Sequence, residues 1–345
     1  MSRRARYFVL WLWYRHPPLS WPLIVLLMPL SWVFCMLAGW RRRRQQYQAK
    51  PLPVPVIVVG NLTVGGSGKT PITAGITHLL LQQGWHPGIV SRGYGSTQSE
   101  PRLVESDNAQ QYGDEAVCLR RQTGVPVAVG HDRHAVANLL LFRRTCNVIV
   151  SDDGLQHYRL HRDVEIIAVD AIRRLGNGQC LPAGPLRERA SRLQQSRFVV
   201  SLGGKLPYAA FQATLVSRAL RKVHDRKEKS LLDFRGRTVH AVAGIAHPQR
   251  FFEVLRHAGL QVIGHDFADH HQFCVEDLQF NDTMDIIMTE KDAVKCAGLA
   301  PSNSWYLPVY VELEQAFNEA FIDTLNQLRR FHGQTAAGNP GLPDL

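Results

Sequence analysis

The sequence predicts an α/β protein with a parallel-sheet domain, a second, smaller α/β domain and an N-terminal membrane-associated helix. Apolar strand-like runs alternate with helical stretches after residue 50, and this alternation is typical of parallel sheets covered by helices. One early run leads into a glycine-rich loop, and residues 21–40 contain no charged side chain. The chain has 345 residues, of which 45% are hydrophobic and 20% charged. This length suits one large or two ordinary domains, and the composition excludes a disordered chain.

The N-terminal segment, residues 1–49, carries most of the net charge. The formal net charge is +11, and residues 1–50 contain nine basic and no acidic residues. The rest of the chain is therefore close to neutral, which is not the charge distribution of a nucleic-acid-binding domain, and we expect no nucleic-acid partner. The six cysteines form no C-x-x-C pair, so we expect no zinc site and predict free thiols.

Residues 21–40 have the length and composition of a membrane helix. Such a helix would be about 30 Å long, close to the thickness of a bilayer core. Arginines flank the run on both sides, and tryptophans lie at both ends, as at a membrane interface. Arg41–Arg44 follow it and indicate that the chain after them is cytoplasmic. Because both flanks are basic, the sequence leaves open whether the segment spans the membrane or lies in one leaflet.

The elements after residue 50 follow in order. Pro51, Pro53 and Pro55 predict a stiff linker into a buried strand over Val56–Val59. Further strands are predicted at Gly88–Ser91, Val125–Val129, Val148–Ser151, Ile166–Val169 and Phe198–Ser201. Helices are predicted between them at Ile72–Gln83, Glu115–Gln122 and His134–Arg144. A second set comprises strand Thr238–Ala243, helix Pro248–His257, strands Gln261–His265 and Asp285–Met288, helix Ala293–Cys296 and strand Trp305–Val311.

The charged stretch Arg218–Lys229 separates the two sets and predicts a domain boundary. We therefore predict a parallel-sheet domain over residues 50–230 and a smaller C-terminal α/β domain over residues 231–331. Residues 332–345 are mostly polar and contain glycine and proline, which predicts a flexible tail.

The glycine-rich loop predicts a site for nucleotide phosphates. Strand Val56–Val59 leads into Gly60-Asn-Leu-Thr-Val-Gly-Gly-Ser-Gly-Lys-Thr70, and glycines there let backbone N–H groups surround phosphate oxygens at a helix N-terminus. Lys69 can reach the β- and γ-phosphates, and the Thr70 hydroxyl can bind Mg²⁺. The general pattern has glycine at position 63, where this chain has Thr63. The large domain is therefore predicted to be P-loop NTPase-like, with nucleotide-binding residues Thr63, Val64, Gly65, Gly66, Ser67, Gly68, Lys69 and Thr70.

Two carboxylates predict the metal site. The apolar run Val148–Ser151 ends in Asp152 and Asp153, as in the strand that organises Mg²⁺ in P-loop enzymes. Together with Thr70, they are the predicted ligands of Mg²⁺. The loop and the carboxylates predict a site for ATP and Mg²⁺, and they leave the substrate open.

Six further motifs occur in chain order. They are Ser91-Arg-Gly-Tyr-Gly95, Gly113-Asp-Glu-Ala116, Asp153-Gly-Leu-Gln-His157, Leu181-Pro-Ala-Gly-Pro-Leu-Arg-Glu188, Phe267-Ala-Asp-His-His271 and Thr289-Glu-Lys-Asp292. With the glycine-rich loop they resemble the tetraacyldisaccharide 4′-kinase family of lipid A biosynthesis. The resemblance extends from the N-terminal apolar segment to about residue 312, and Thr63 belongs to this family's version of the loop.

The resemblance implies a kinase that transfers the γ-phosphate of ATP to the 4′-hydroxyl of tetraacyldisaccharide 1-phosphate. The product would be the 1,4′-bisphosphate lipid A precursor, lipid IVA, of lipopolysaccharide biosynthesis. A lipid acceptor stays in the membrane, so a basic, apolar segment suits an enzyme with this substrate. The implied location is the cytoplasmic face of the bacterial inner membrane, and the sequence indicates no obligate protein partner.

The resemblance also implies active-site residues. Phosphoryl transfer to a hydroxyl needs a group that accepts the proton. Asp114 matches the family's base, with His270 as its partner and His271 as the adjacent alternative; a helix cap is the other interpretation of Asp114. Lys69 completes the predicted catalytic set. The predicted substrate-binding residues are Arg92, Tyr94, Arg133, Gln156, His157, Arg187 and Glu188, of which Arg133 could instead be a surface charge.

Other functions could use the same loop. A membrane-tethered nucleotide-dependent switch would need an Asn/Thr-Lys-x-Asp motif after a strand, and Thr289-Glu-Lys-Asp292 has the wrong spacing. A transport ATPase would show Leu-Ser-Gly-Gly-Gln, which the sequence lacks. A non-catalytic adaptor with a decayed loop disagrees with the intact Gly68-Lys69-Thr70. A kinase is therefore the predicted function, with a switch or ATPase as the alternative.

Overall fold

A computed structural model describes residues 3–14, 21–65, 68–96, 100–225, 227–269 and 271–337, with the backbone alone for residues 3–7 and 332–337. The strands are β1 (Val56–Gly60), β2 (Pro87–Ser91), β3 (Arg102–Leu103), β4 (Val127–Val129), β5 (Val148–Ser151), β6 (Val164–Asp170), β7 (Phe198–Leu202), β8 (Phe211–Val216), β9 (Ala219–Lys222), β10 (Glu228–Ser230), β11 (Thr238–Ala243), β12 (Gln261–Asp266), β13 (Ile286–Thr289), β14 (Ser304–Leu307) and β15 (Tyr310–Leu313). The helices are α1 (Arg3–Tyr14), α2 (Trp21–Tyr47), α3 (Lys69–Gln82), α4 (Ala109–Tyr112), α5 (Asp114–Thr123), α6 (Arg133–Arg143), α7 (Pro248–His257), α8 (Glu290–Cys296) and α9 (Gln315–Ala337).

The larger sheet has the strand order β15-β8-β7-β6-β1-β5-β2-β4-β3. Its strands run parallel, except that β3 and β15 pair antiparallel at the two edges. All five residues of β1 are buried, because β1 lies between β5 and β6 in the middle of the sheet and helices cover parallel sheets on both faces. The carboxyl ends of β1 and β5 are therefore neighbours, and the loops that follow them form one edge of the molecule.

The smaller sheet has the order β10-β9-β14-β13-β11-β12. The four strands β11 to β14 are parallel, and β9 and β10 extend the sheet as an antiparallel pair. Buried aromatic and aliphatic side chains of these strands, of α7 and of the short 3-10 turn Leu231–Phe234 form a separate core, with Phe234, Phe252 and Trp305 among its members. The P-loop NTPase-like sheet and the second α/β unit thus agree with the predicted fold class.

The strand pairing differs from the predicted division at residue 230 in two places. The charged stretch Arg218–Lys229 does not separate the sheets, because β9 and β10 already belong to the smaller one. The single strand predicted over Trp305–Val311 is two strands, β14 in the smaller sheet and β15 in the larger. Pro308 lies between them and has no N–H for a ladder, so the chain changes sheets there.

The C-terminal helix α9 packs on the larger sheet rather than on the smaller one. Phe317 and Phe321 are fully buried and contact the ring of Phe198 on β7 at centroid distances of 5.5 and 5.7 Å. The helix continues through Ala337, so residues 332–337 of the predicted tail are helical. Residues 338–345 lie outside the described residues.

Helices α1 and α2 lie against the body of the larger domain. One side of α2, the docked face, faces the protein with Ile24, Leu27, Ser31, Phe34, Cys35 and Arg42. The opposite side, the outer face, exposes Trp21, Val25, Leu26, Leu30, Trp32, Val33, Met36, Leu37 and Trp40. By length and composition α2 could cross a membrane, with a mean hydropathy of 2.1 over its most apolar window. Cys35 forms a disulfide with Cys180, which corrects the prediction of free thiols for these two cysteines.

Candidate active site

The glycine-rich loop joins the end of β1 to the start of α3. A Cβ atom at Gly60 would lie 2.5 Å from the Leu155 Cβ, so the loop leaves the sheet where there is no room for a side chain. Gly68 has a φ of +74° immediately before Lys69, a conformation that favours glycine. Gly66 and Ser67, two of the predicted nucleotide-binding residues, lie outside the described residues.

Thr63 pairs with another loop. It forms an isolated antiparallel bridge with Leu186, and the Val64 N–H donates to the Pro185 carbonyl at 2.9 Å. Asn61 Nδ2 donates to Thr63 Oγ1 at 3.2 Å. An extended backbone favours a β-branched residue over glycine, which explains why threonine suits this position of the loop.

Lys69 joins the loop to the carboxylates after β5. Its Nζ lies 3.3 Å from Asn61 Oδ1 and 3.4 Å from Asp153 Oδ1. The side chain is 11% exposed, so Lys69 is largely buried beside these two partners. The structure thus brings together the predicted phosphate-binding lysine and one predicted metal ligand.

The two aspartates have different surroundings. Asp152 is 1% exposed and accepts a hydrogen bond from Thr73 Oγ1 at 2.7 Å. Burial and the neighbouring Glu115 raise the pKa of Asp152 to about 7. Burial opposes ionisation of Asp153 as well, but Lys69 and Arg187 outweigh it and hold the pKa of Asp153 below its usual range.

The donor set at this position is suitable for Mg²⁺. Asp152, Asp153 and the nearby Thr70 offer hard oxygen ligands, and a buried carboxylate with a raised pKa would be stabilised by a cation. Among the described residues, no group of three or more His, Cys, Asp or Glu side chains is arranged to hold a metal ion. Mg²⁺ in phosphoryl-transfer enzymes is held by one or two carboxylates together with the substrate phosphates, so this small donor set fits it.

Asp114 is the first residue of α5 and is 5% exposed. The N-cap residue of α5 is Gly113, so Asp114 is not at the N-cap position that the alternative interpretation requires. Its Oδ1 accepts the N–H of the adjacent Glu115 at 2.8 Å. Asp114 also lines a cavity of about 220 Å³ that opens between α4 and α8. A substrate group in that cavity would meet this carboxylate.

Of the two predicted histidine partners, one can be described. His271 Nε2 lies 2.8 Å from Asp277 Oδ2, and its ring stacks on Phe267 at a centroid distance of 4.8 Å. His271 is therefore engaged within the smaller domain. His270 lies outside the described residues.

Arg133 is buried rather than a surface charge. It is 2% exposed, and its Nη1 donates to the Gly130 carbonyl at 2.6 Å. Its Nε and Nη2 atoms have no hydrogen-bond partner in the described part of the chain. Burial lowers the pKa of Arg133 to about 10, with Asp152 and Asp153 acting in the opposite direction. The guanidinium therefore stays charged at neutral pH.

The remaining predicted substrate residues differ in exposure. Arg92 and Tyr94 are exposed. His157 is partly buried, and burial together with Arg133 and Arg92 lowers the pKa of His157 to about 4. Its imidazole is therefore neutral at physiological pH and can donate or accept a hydrogen bond.

Gln156, Arg187 and Glu188 form one hydrogen-bonded group. Arg187 Nη1 lies 3.1 Å from Gln156 Oε1 and 3.5 Å from Asp153 Oδ1. Gln156 Nε2 donates to Glu188 Oε1 at 3.1 Å, and the Tyr158 hydroxyl donates to the other Glu188 oxygen. Glu188 is 8% exposed and has both oxygens engaged, so it supports Gln156 from behind rather than facing the cleft.

The sequence matches a protein-family model over most of its length. The family model described as tetraacyldisaccharide-1-P 4′-kinase matches residues 23–326. The chain belongs to this family. The resemblance stated from the motifs is thereby confirmed.

Relatives and a solved structure agree with the family assignment. A tetraacyldisaccharide 4′-kinase of Alkalilimnicola ehrlichii is 51% identical over 84% of this chain and 86% of its own. The enzyme of Methylobacillus flagellatus is 45% identical over 92% of this chain and 95% of its own. A crystal structure of LpxK from Aquifex aeolicus in complex with ATP has a TM-score of 0.76 and 27% identity, covering 89% of this chain and 99% of that one.

Several residues of this family member's site were not predicted from its sequence. Asn61 contacts Lys69, and Thr73 holds Asp152. Thr73 lies one helical turn after Lys69, so helical spacing could have indicated it. Lys291 Nζ on α8 contacts Glu115 Oε1 on α5 at 2.5 Å. That contact was not foreseeable, because it depends on how the smaller sheet is placed.

Proposed function

We propose that this chain is the tetraacyldisaccharide 4′-kinase of its organism: it transfers the γ-phosphate of ATP to the 4′-hydroxyl of tetraacyldisaccharide 1-phosphate and yields the 1,4′-bisphosphate lipid A precursor. The observation that carries the proposal is the family match over residues 23–326, which includes the glycine-rich loop, both aspartates after β5 and Asp114. The neighbour that was solved with ATP supports ATP as the phosphate donor.

The phosphoryl transfer needs three contributions from the protein. Backbone N–H groups of the glycine-rich loop and Lys69 would hold the β- and γ-phosphates. Asp152, Asp153 and Thr70 would hold Mg²⁺, which when bound neutralises charge on those phosphates. The acceptor oxygen forms a bond to the γ-phosphorus, the bond from the γ-phosphorus to ADP breaks, and Asp114 takes the hydroxyl proton.

The partner of Asp114 in this proposal is His270. His271 is engaged with Asp277 and two phenylalanine rings, so it is the less suitable of the adjacent pair. A histidine partner would orient the carboxylate of Asp114 and share its proton during transfer.

The acceptor would meet a set of basic and neutral donors around the cleft. Arg133 is the residue best suited to an anionic oxygen, because it is buried and has two nitrogen atoms without a protein acceptor in the described chain. Arg187, Gln156 and neutral His157 would bind hydroxyl or phosphate oxygens beside it. Arg92 and Tyr94 would contact the more exposed part of the acceptor, and Glu188 would act through Gln156.

We further propose that α2 lies in the plane of the membrane at the cytoplasmic face of the bacterial inner membrane. Its docked face contacts the protein from Ile24, which packs with Ala183, to Arg42, which hydrogen-bonds Gln195 at 2.7 Å. These contacts extend along most of α2. The helix could therefore cross the membrane perpendicularly only if it separated from the rest of the protein. The outer face then meets lipid, as in monotopic helices. Impermeant labelling of cysteines introduced at both ends should reach both from the cytoplasmic side only.

A single assay tests the kinase function. The purified full chain is incubated with ATP, Mg²⁺ and the disaccharide 1-phosphate lipid in detergent micelles, and the product is examined by mass spectrometry and ³¹P NMR. We expect a second phosphate at the 4′ position and one ADP per product. ATP hydrolysis that does not depend on the acceptor, with no phosphorylated lipid, would instead establish the ATPase or switch alternative.

A further inference from the structure

Helix α2 makes a polar contact in the middle of its docked face. Ser31 is 1% exposed, although residues 21–40 are otherwise almost entirely apolar. Its hydroxyl donates to the Cys180 carbonyl at 2.8 Å and accepts the Ala183 N–H at 3.0 Å. The hydroxyl therefore donates and accepts within one short segment of another part of the fold.

The segment held by Ser31 belongs to a compact loop, residues 177–188. Asn177 Nδ2 donates to the Ala183 carbonyl at 2.7 Å, and the Leu181 N–H donates to the Leu186 carbonyl at 2.9 Å. A Cβ atom at Gly184 would lie 2.1 Å from Asn177 Oδ1, so the loop closes tightly on itself. A shift at Ala183 would therefore be transmitted along the loop.

The far end of this loop is part of the active site. The Arg187 N–H donates to the Leu62 carbonyl at 2.7 Å, and the Val64 N–H donates to the Pro185 carbonyl at 2.9 Å. The loop thus pairs with the backbone that would surround the nucleotide phosphates. The Arg187 side chain contacts Gln156 and Asp153. Along the chain, only residues 184–186 separate Ala183, which contacts α2, from Arg187, which contacts the active-site side chains.

We propose that the docked face of α2 positions the 177–188 loop for catalysis, with Ser31 as the positioning residue. The proposal rests on the kinase function proposed above. In this account α2 has two roles on its two faces: the outer face binds lipid, and the docked face sets the position of Arg187 and of the glycine-rich loop. Attachment to the membrane and the geometry of the active site are therefore carried by one helix.

The physical reason lies in the buried backbone groups of the loop. Without the Ser31 hydroxyl, the Ala183 N–H would lose its partner on α2, and the Cys180 carbonyl would keep only the N–H of Gly184, at 2.9 Å. Buried polar groups that lose hydrogen-bond partners are unfavourable. The loop would shift to satisfy them. A misplacement of about 1 Å in a positioned group can cost a hundredfold in rate. Lipid binding would not change, because Ser31 does not face the lipid.

The experiment compares substitutions on the two faces of α2. Ser31→Ala removes the hydroxyl, and Ser31→Thr and Ser31→Val form a pair of equal shape that differs only in the hydroxyl. Gly39→Ala is the matched control, because a Cβ atom there would have nothing within 4 Å. Leu26→Ser with Leu37→Ser changes the outer face. All assays contain a reducing agent, so that the disulfide of Cys35 does not hold the loop.

Each variant is measured for kcat, for KM of both substrates in micelles, and for cosedimentation with vesicles of phosphatidylethanolamine and phosphatidylglycerol. We expect Ser31→Ala to lower kcat/KM about tenfold or more with an unchanged vesicle-bound fraction. Ser31→Thr should retain clearly more activity than Ser31→Val, and Gly39→Ala should match the wild type. The outer-face variant should lose vesicle binding. In an Arg187→Met background, Ser31→Ala should cost little more, since both act through one loop.

Three results would overturn the positioning role. They are full activity of Ser31→Ala, equal activity of the threonine and valine variants, and a loss of activity that only parallels a loss of vesicle binding. If Ser31→Ala does not fold, the threonine and valine pair still decides. The wild-type assay separates the two proposals: a wild type that phosphorylates the 4′ position beside normal Ser31 variants contradicts only the positioning role, whereas an inactive wild type contradicts the kinase function.

Discussion

Lys69 lies between an amide oxygen of the glycine-rich loop and the carboxylate of Asp153. Both contacts are longer than 3.2 Å, so the ammonium can move toward a phosphate without breaking a tight pair. We expect Lys69→Ala to reduce transfer by about three orders of magnitude, because a charge-stabilising donor of this kind contributes that much to catalysis. Circular dichroism and thermal unfolding should match the wild type, and Lys50→Ala is the control for loss of an exposed lysine. Wild-type turnover of Lys69→Ala would contradict the nucleotide site.

Asp114 gives the sharpest test of the proposed base. Asp114→Asn should lower kcat by about two to four orders of magnitude, the usual contribution of a positioned base. ATP affinity should hardly change. The asparagine oxygen can still accept the Glu115 N–H that Asp114 Oδ1 accepts, so thermal stability should be retained. The rate is measured under saturating ATP and lipid, and ATP affinity by calorimetry.

The identity of the histidine partner follows from a double-mutant comparison. His270→Ala should cost less than Asp114→Asn, and the combined variant should be less than additive because both residues serve one proton transfer. If His271→Ala shows this coupling instead, the partner is misassigned. If Asp114→Asn turns over normally, Asp153 is the next candidate, since it lies beside Lys69.

Helices α5 and α8 meet between the two sheets, and one carboxyl group at this contact has a pKa near neutrality. Burial raises the pKa of Glu290 to about 7, although it accepts a hydrogen bond from Gln122 at 2.5 Å. The ordinary pKa of a glutamate is 4.5. Between pH 4.5 and about pH 7, Glu290 therefore holds a proton in the folded protein that it has lost in the unfolded chain. Glu290 therefore favours folding below this window, and its contribution is lost as the pH rises through it.

Glu290→Gln should remove that pH dependence. The free energy of unfolding of the wild type, relative to the variant, should decline from pH 5 to pH 8 by up to about 3 kcal/mol. The amide oxygen of the variant can still accept from Gln122, so the interface is kept. Denaturant unfolding of both proteins at four pH values measures the difference, and parallel curves would contradict a raised pKa at Glu290.

The elements that the sequence predicted correctly are those fixed by local pattern. β1, β5 and α3 follow from buried apolar runs and from the glycines between them, and Asp152 and Asp153 follow from the end of a strand. Partner choice between distant segments is not local. Pro308 could have indicated a break in the strand predicted over Trp305–Val311, but it does not indicate that the two halves pair with different sheets. The docked face of α2 could not be predicted for a related reason. Apolar residues occur on all sides of this helix, and which of them are buried depends on contacts with the distant 177–188 loop.

At the scale of the whole molecule, two ion pairs connect the domains at different parts of the cleft. Asp170 at the end of β6 accepts from Arg250 of α7 at 2.7 and 3.3 Å. Asp170 also accepts the N–H groups of Ile172 and Arg173, and Arg173 lies against Gly65 of the glycine-rich loop. On the other side, Lys291 of α8 pairs with Glu115, the residue after the proposed base. Burial opposes the charge on Lys291, but Glu115 and Asp114 outweigh it and raise the pKa of Lys291, so its ammonium stays charged.

These positions lead to different kinetic effects for the two pairs. Arg250→Met should mainly raise KM for ATP, because Asp170 organises the turn beside the glycine-rich loop. Lys291→Met should mainly lower kcat, because Glu115 would lose its partner and shift the start of α5, where Asp114 lies. We expect changes of about five- to thirtyfold, the size of one to two kcal/mol, since each pair is partly exposed and worth less than a fully buried one. Steady-state kinetics with each substrate varied in turn measures the split. If both variants change the same parameter by the same factor, the two contacts act as one hinge rather than on separate halves of the reaction.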